Sequence, residues 1–186
     1  MTNISVVYHS GKGHTERQAR RIGAGAEKSG ASEFKVISVV DMDDASWNFL
    51  DESAAIIFGS PTYMGSVSAE FKTFMDKTSK RWLVQKWRNK LAAGFTNSAT
   101  PSGDKMNTLV QLTVFAAQHS MVWVGLDVMP GLDEQTGHKL NRLGGFLGAM
   151  AESENLPPEQ TPCEPDLLTA ERLGQRVTEF AKRIAV

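Results

Sequence analysis

One short turn near the start of the chain concentrates residues that bind anions. Between an apolar run ending at Tyr8 and a helix-like stretch, the sequence reads HSGKGHT. A strand that feeds a helix directs free backbone amides and the positive end of the helix dipole at one point, and glycine lets that backbone form a nest for an anion. The turn therefore predicts a phosphate site, with a plain strand–helix turn as the alternative. Its candidate residues are Ser10, Gly11, Lys12, Gly13, His14 and Thr15.

The spacing of residues in this turn indicates which class of phosphate ligand it could bind. Lys12 is followed by Gly13, so the turn lacks the G-x-x-x-x-G-K-[ST] pattern of a nucleoside triphosphate loop. Glu16 stands where a dinucleotide fingerprint needs its third glycine, and its negative charge disfavours a pyrophosphate over the helix. A single terminal phosphate, as in a mononucleotide, fits better.

A second unusual turn, GSPTYMGS, spans residues 59–66. Pro61 fixes its own φ and removes an amide donor, Gly65 permits a sharp change of direction, and Tyr63 offers an aromatic ring. A flat heteroaromatic ring could lie against this turn; the alternative is a rigid turn with a surface tyrosine. The candidate residues are Pro61, Thr62, Tyr63, Met64 and Gly65.

A third turn, TNSATPSGD at residues 96–104, is almost entirely small or polar. Its hydroxyls and amide could bond a pyrimidine-like edge, and Asp104 is predicted to cap the helix that follows. A solvated loop is the alternative. The candidate residues are Asn97, Ser98, Ala99, Thr100, Ser102 and Gly103.

Other chemistries have weaker support in the sequence. His9 and His14 lack a convincing third ligand, so no metal site is predicted. Cys163 is the single cysteine, so no intrachain disulfide can form, and this favours a reducing, cytoplasmic compartment. The thiol is more simply a packing or surface group than a redox group. No G-x-S-x-G elbow supports a hydrolase.

Length and charge bound the broad class. The 186 residues suit one domain over 1–186, and a net charge of −1 with mixed acids and bases indicates neither a nucleic-acid nor a membrane surface as partner. We also expect no signal peptide, because a strand pattern begins within three residues.

The elements that must position the three turns alternate along the chain. Apolar strands at 4–8, 34–39, 54–59, 91–95 and 121–126 alternate with helices at 15–28, from 68, from 104 and from 166. This α/β pattern predicts a doubly wound, five-stranded parallel sheet of order 2-1-3-4-5 with helices on both faces. A ligand would then lie beyond the carboxyl ends of strands one and three. Thr15 and Gln18 predict a capping box, and residues 127–163 a long loop excursion within the domain.

Several stretches resemble one family, the flavodoxin-like quinone reductases of the tryptophan-repressor-binding-protein type, which are FMN-dependent NAD(P)H:quinone oxidoreductases. SPTYMGSVSAEFKTFMDKT is similar to that family's second flavin loop and helix, and FAAQHSMVWVGL to its helix end and fifth strand. NRLGGFLGA resembles its Gly-Gly loop, and EPDLLTAERLGQRVTEFAKRIA its closing helix.

The resemblance implies an FMN cofactor, NADPH or NADH as electron donor, and a quinone-like acceptor. The phosphate would bind at Ser10–Thr15, and the ring between Pro61–Gly65 and Asn97–Gly103. His119 matches the family's active-site histidine, although a histidine at a helix end can simply cap carbonyls. Trp82 matches a tryptophan that reaches the flavin of a neighbouring subunit, which implies a homo-oligomer, a dimer or tetramer.

The sequence departs from the family pattern in places and leaves two other functions open. Ala99, Pro101 and Ser102 stand in a loop that is glycine-rich in the family, and Phe146-Leu147 follows the Gly-Gly pair instead of Pro and Tyr. An electron-carrier flavodoxin is one alternative, although such carriers are usually strongly acidic. A regulatory or scaffold protein that has lost the flavin is the other.

Overall fold

Strands and helices alternate along residues 2–184, the part of the chain that the computed structural model describes. The strands are β1 Asn3–Tyr8, β2 Glu33–Ser38, β3 Ala55–Tyr63, β4 Ser66–Val67, β5 Leu91–Ser98, β6 Val122–Trp123, β7 Gly131–Leu132, β8 Lys139–Leu140 and β9 Ala149–Glu152. The helices are α1 His14–Lys28, α2 Asp44–Glu52, α3 Ala69–Lys77, α4 Ser79–Leu83, α5 Lys105–Gln118 and α6 Glu164–Ile184. Helices α2 and α4 were not among the predicted elements.

The main sheet has the predicted order. Its strands run β2-β1-β3-β5-β6, with parallel pairing along this path. Tyr8 is paired with Gly59, and Gly59 with Phe95, so the strands β1, β3 and β5 end at one edge. The prediction of a five-position, doubly wound parallel sheet is therefore confirmed.

The fifth position of the sheet is divided between two short strands, which corrects the prediction for residues 121–126 and 127–163. β6 pairs with the start of β5, and β9 pairs with its end, from Phe95 to Ser98. Between them lies the small antiparallel hairpin of β7 and β8. Residues 149–152, Ala-Met-Ala-Glu, are thus a buried strand rather than loop. None of these four residues is β-branched or aromatic, so the sequence gave no strand signal here.

Apolar side chains pack on both faces of the sheet. On one face, Ile22 of α1 and Leu173 of α6 are buried against the strands; on the other, Phe71 of α3 and Leu112 of α5 are buried. Burial of apolar surface stabilises the fold by roughly 25 cal/mol for each Å² and is the main driving force for this arrangement. The prediction that helices cover both faces of the sheet is therefore confirmed.

The helix starts differ in how their free amides are satisfied. Ser68 caps α3 as predicted, because its hydroxyl accepts from the Phe71 amide at 3.3 Å. The predicted capping box at Thr15 and Gln18 is wrong, since α1 begins after Gly13 without a side-chain cap. Asp104 lies at the cap position of α5 but makes no capping bond, and its φ of 55° is left-handed instead of the extended conformation of an ordinary N-cap residue.

Helices α1 and α6 approach closely through two glycines. A Cβ built on Gly25 would lie 2.1 Å from the Glu171 carbonyl oxygen, and one on Gly174 would lie 2.1 Å from the Ile22 carbonyl oxygen. Arg21 and Lys28 of α1 both pair with the Glu171 carboxylate at the same crossing. The two helices are therefore held at a distance that only glycine permits.

Substitution of either glycine tests this packing. We expect Gly25→Ala and Gly174→Ala each to lower the free energy of unfolding by about 1–3 kcal/mol, because the added methyl group overlaps a backbone carbonyl. In an exposed helix the same change would be stabilising. Urea denaturation measures the effect, with Gly131→Ala as control because nothing lies within 4 Å of its Cβ position. Equal stability of all three variants and the wild type would contradict the close crossing.

Candidate functional site

A cleft of about 270 Å³ lies at the edge where β1, β3 and β5 end. The three predicted turns meet there, which follows from the register of the strands. Eleven of the predicted residues line it: Ser10, Gly11, Lys12, His14, Thr15, Pro61, Thr62, Tyr63, Asn97, Ser98 and Ala99. The residues of the three turns that were predicted but lie outside the lining are Gly13, Met64, Gly65, Thr100, Ser102 and Gly103.

The first turn has the geometry of an anion-binding nest. Gly13 adopts a φ of 89° and precedes the first residue of α1, so the free amides of this helix start next to the cleft. The hydroxyl oxygen of Ser10 is buried in this turn without a hydrogen-bond partner. A buried hydroxyl normally has a partner, so the turn leaves one donor free for a bound group.

His14 contributes to the wall of the cleft and joins it to a later segment of the chain. Its Nε2 donates to the Leu156 carbonyl at 2.7 Å, and Nε2 must carry the proton because a carbonyl oxygen only accepts. Arg17 donates to the Pro158 carbonyl one turn further along α1. The segment 153–158, which follows β9, is thereby fastened across the start of α1.

The second turn is a tight hairpin between β3 and β4. Met64 and Gly65 have φ values of 49° and 75°, the left-handed pair that a two-residue hairpin turn requires. The Met64 side chain is fully exposed, so this residue and Gly65 shape the turn without facing the cleft. The Tyr63 ring instead covers the first turn, since a Cβ on Gly11 would lie 2.5 Å from its hydroxyl.

Threonine side chains join the second turn to the third. The Thr62 hydroxyl lies 2.8 Å from the Thr96 hydroxyl and 2.8 Å from that of Thr108, and the group is buried. It ties β3, β5 and α5 together directly beneath the cleft. The relative position of the two turns is therefore fixed by the core of the protein.

The third turn offers an unpaired acceptor. The side-chain amide nitrogen of Asn97 donates to the Ser153 hydroxyl at 3.2 Å, while its Oδ1 is buried without a partner. Thr100, Ser102 and Gly103 form the return of the loop and lie outside the cleft lining. Asn97 Oδ1 is thus available to an N–H donor on a bound molecule.

Three lining residues were missed from the sequence: Ser153, Asn155 and Leu156. They follow β9, whose carboxyl end lies beside that of β5. The available signal was topological, because any strand added to this side of the sheet ends at the same edge. Treating residues 127–163 as one loop concealed it.

The structure places His119 away from the cleft of its own chain, and the catalytic role that the resemblance implies for it stays a prediction. Helix α5 starts at the cleft edge and runs back to the opposite edge, where the Ser120 carbonyl accepts from Asn89 just before β5 begins. The His119 ring packs against Trp87 and Phe115, with ring centroids 4.6 and 4.9 Å away. With 1% of its surface exposed, it cannot touch a molecule in the cleft.

The His119 ring has one hydrogen bond, at Nε2. The Thr78 hydroxyl lies 2.9 Å from this atom and donates its own proton to the Met75 carbonyl, so Nε2 donates and carries the proton. Nδ1 is buried without a partner. Burial lowers the pKa of His119 to about 4, because the charged imidazolium would lose its hydration.

Trp82 also lies outside the cleft of its own chain. It belongs to the short helix α4 and is 44% exposed. Leu83 and Val84 beside it are still more exposed. Within residues 2–184, no cluster of three His, Cys, Asp or Glu side chains could hold a metal ion, and no helix has the length and apolar character of a membrane span.

Comparison with known proteins gives consistent matches over the chain. Residues 5–132 match the family model described as NADPH-dependent FMN reductase. A Pseudomonas aeruginosa protein named flavodoxin FldP is 38% identical over 185 residues, covering 99% of each chain. An Archaeoglobus fulgidus NAD(P)H dehydrogenase (quinone) is 30% identical, covering 99% of this chain and 100% of the relative. A crystal structure described as a flavodoxin, WrbA-like protein from Agrobacterium tumefaciens superimposes with a TM-score of 0.79, at 38% identity and 98% and 99% coverage.

The buried environment of His119 predicts a specific dependence of stability on pH. Its pKa is about 4 in the folded protein and about 6.5 in the unfolded chain, so as pH falls the unfolded chain takes up the proton first. We expect the free energy of unfolding to fall by about 3 kcal/mol between pH 7 and pH 4 through this residue alone.

The variant His119→Gln isolates this contribution. At pH 7 this variant should have a lower free energy of unfolding than the wild type, and its free energy of unfolding should fall less on acidification. Urea denaturation at a series of pH values measures both. His138→Gln, in the connection between β7 and β8, is the matched control. An acid profile of His119→Gln parallel to that of the wild type would contradict a neutral, buried His119.

Proposed function

The chain belongs to the NADPH-dependent FMN reductase family and has the flavodoxin-like fold, and on this basis we propose that it is an FMN-dependent oxidoreductase. It would pass two electrons from NADPH or NADH to a quinone or similar acceptor. The observation on which this rests is that Ser10 Oγ and Asn97 Oδ1, on two different walls of the cleft, are both buried and unpaired. They fit a ligand with an anionic end and a hydrogen-bonding ring.

The residues present fit FMN. Ser10, Thr15 and the first amides of α1 would bind the phosphate, with the exposed Lys12 adding positive charge beside it. The ring would lie between the second and third turns, where the Asn97 Oδ1 can accept from a ring N–H. When bound, the flavin supplies the two-electron chemistry.

The protein's own contribution is orientation and exclusion of water. The threonine group beneath the cleft holds the second and third turns at a fixed separation, so the ring site is formed before binding. Tyr63 and Leu156 flank the phosphate turn and would limit access of water to it. Such preorganisation favours productive orientation of the reacting groups.

We propose a quinone-like acceptor because a relative that matches this chain over its full length is named NAD(P)H dehydrogenase (quinone). A homo-oligomer is part of the proposal. Met106, Val110 and Val114 form an exposed apolar stripe along α5. The exposed Trp82 lies on α4, and Gln85, just after α4, donates to the Gln118 carbonyl at the end of α5. Burial of this stripe in a dimer or tetramer would bring Trp82 toward a neighbouring subunit.

An electron carrier is the second candidate, and one observation favours it. The alignment with the relative named flavodoxin spans 185 residues, essentially the length of this chain. The alignment with the quinone dehydrogenase spans 206 positions, so at least 20 of them have no counterpart among the 186 residues of this chain. A net charge of −1 argues against it, because carriers rely on charge to dock with their partners. A flavin-free scaffold is disfavoured by the unpaired polar atoms of the cleft.

Spectroscopy of FMN-reconstituted, desalted protein distinguishes these functions. We expect the protein to stay yellow and to bleach in one two-electron step on anaerobic addition of NADPH or NADH, with colour returning on addition of a quinone. Retained colour that neither nicotinamide bleaches would overturn the reductase and favour the carrier. Loss of all colour on desalting would exclude FMN binding.

A glycine substitution tests the phosphate nest itself. We expect Gly13→Ala to weaken FMN binding at least tenfold, because an alanine is strained at a φ of 89° and its Cβ would lie 2.9 Å from Pro158. Gly30→Ala is the matched control, since Gly30 has a φ of 75° at the other end of the same helix. Fluorescence titration of FMN measures both. Equal weakening by the two variants would mean that strain in α1, and not the nest, determines binding.

A further inference from the structure

Lys105 is a buried lysine that holds the third turn from behind. It is the first residue of α5 and is 1% exposed. Its Nζ donates to the Ser98 hydroxyl at 2.6 Å and to the Thr100 carbonyl at 2.7 Å. The Ser98 hydroxyl in turn donates to the same Thr100 carbonyl at 2.9 Å. The ammonium group of Lys105, which follows the loop, therefore holds the first half of the loop, whose residues Ser98 and Ala99 line the cleft.

This placement is unfavourable for folding in three respects. A buried cation loses hydration, and a positive charge in the first turn of a helix opposes the helix dipole. The carboxylates with most influence on it, Glu152 and Asp166, are already bonded to Arg142 at 3.0 and 2.8 Å. Burial accordingly lowers the pKa of Lys105 to about 8. Local features that oppose folding are expected where function requires them.

The composition of the loop explains why it needs such a support. Ala99, Thr100, Pro101 and Ser102 occupy its centre, so its only left-handed glycine is Gly103, at a φ of 53°. A loop with a single left-handed glycine has few positions at which its backbone can turn freely toward a ligand. Lys105 provides from outside the hydrogen bonds that fix the loop.

We propose that Lys105 is a positioning residue for the flavin ring, which holds the third loop in its binding shape and places a positive charge behind the Ser98 wall of the cleft. The inference rests on the proposed FMN function. Reduction transfers a hydride, two electrons and a proton, from the nicotinamide to the ring and adds one negative charge to it. A cation across the loop stabilises that charge, so Lys105 favours the reduced over the oxidised flavin.

The same geometry predicts a change in proton uptake. The charged groups that act on Lys105 are Glu152 on β9, Asp166 on α6 and Arg142, in addition to the hydrogen bonds to the loop itself. The negative charge of the reduced ring raises the pKa of Lys105 above its value with oxidised FMN. At a pH between those two pKa values, reduction of the flavin is accompanied by uptake of one additional proton. The midpoint potential of the wild type therefore depends more steeply on pH near pH 8 than it would without Lys105.

The test is the variant Lys105→Met, which keeps an unbranched side chain only one atom shorter and removes its charge. We expect it to weaken binding of oxidised FMN about tenfold and of reduced FMN about a hundredfold. That tenfold difference lowers the two-electron midpoint potential by about 30 mV. Fluorescence titration and anaerobic titration against a reference dye measure the two quantities, and Lys105→Arg should restore much of the potential.

Lys90→Met is the matched control. Lys90 is also a largely buried lysine with a pKa lowered by burial, and its Nζ donates to the Asp51 and Ser53 carbonyls at 2.8 and 2.5 Å. It lies at the opposite end of β5, away from the cleft. Loss of a buried ammonium there should reduce stability and leave FMN affinity and potential unchanged.

The outcomes separate this inference from the proposed function. Failure of the wild type to bind FMN overturns both. Normal binding and a wild-type potential in Lys105→Met, or the same shift in Lys90→Met, overturns the role of Lys105 alone. If Lys105→Met does not fold, the pH dependence of the wild-type potential decides, since an unchanged slope through pH 8 contradicts a titrating cation behind the ring.

Discussion

The register of three parallel strands is the constraint on which the cleft depends. Tyr8, Gly59 and Phe95 stand side by side, so the turns that follow β1, β3 and β5 must share one edge. Gly59 is required at the centre of this row, because a Cβ there would lie 2.0 Å from the Phe95 ring. The binding groups are therefore assembled by backbone pairing and core packing, before any side chain in the cleft interacts with a ligand.

The periodicity of the sequence was enough to predict the sheet, its order and most of the cleft. Long apolar strands such as 54–59 and amphipathic helices such as α6 are strong signals, and the rule that parallel strands end at one edge places the turns together. Short elements of mixed character gave little signal. β9 has only four residues, three of them small or flexible, and the residues of the cleft that follow it were missed for that reason.

The position of His119 follows from topology and bears on the role that the resemblance implies for it. A helix that starts at the cleft edge and has 14 residues rises about 20 Å, which returns the chain to the far edge of the sheet. A histidine at its end is therefore remote from the cleft of its own chain, whatever a motif suggests. The capping box failed for another reason: the left-handed Gly13 takes the cap position, so that Thr15 lies inside the helix at the wall of the cleft and Gln18 is buried. Single-residue conformations of this kind are not visible in a pattern.

The fastening of residues 153–158 across α1 has a consequence for biosynthesis. His14 and Arg17 bond to carbonyl groups more than 140 residues later in the chain, and α1 then packs against α6, the last helix. While the ribosome is still making the second half of the protein, the phosphate turn exists without its outer wall and without the helix that holds α1 in place. A nascent chain that still lacks residues 153–184 therefore has no complete pocket to fill, and loading of a cofactor has to follow the folding of that part.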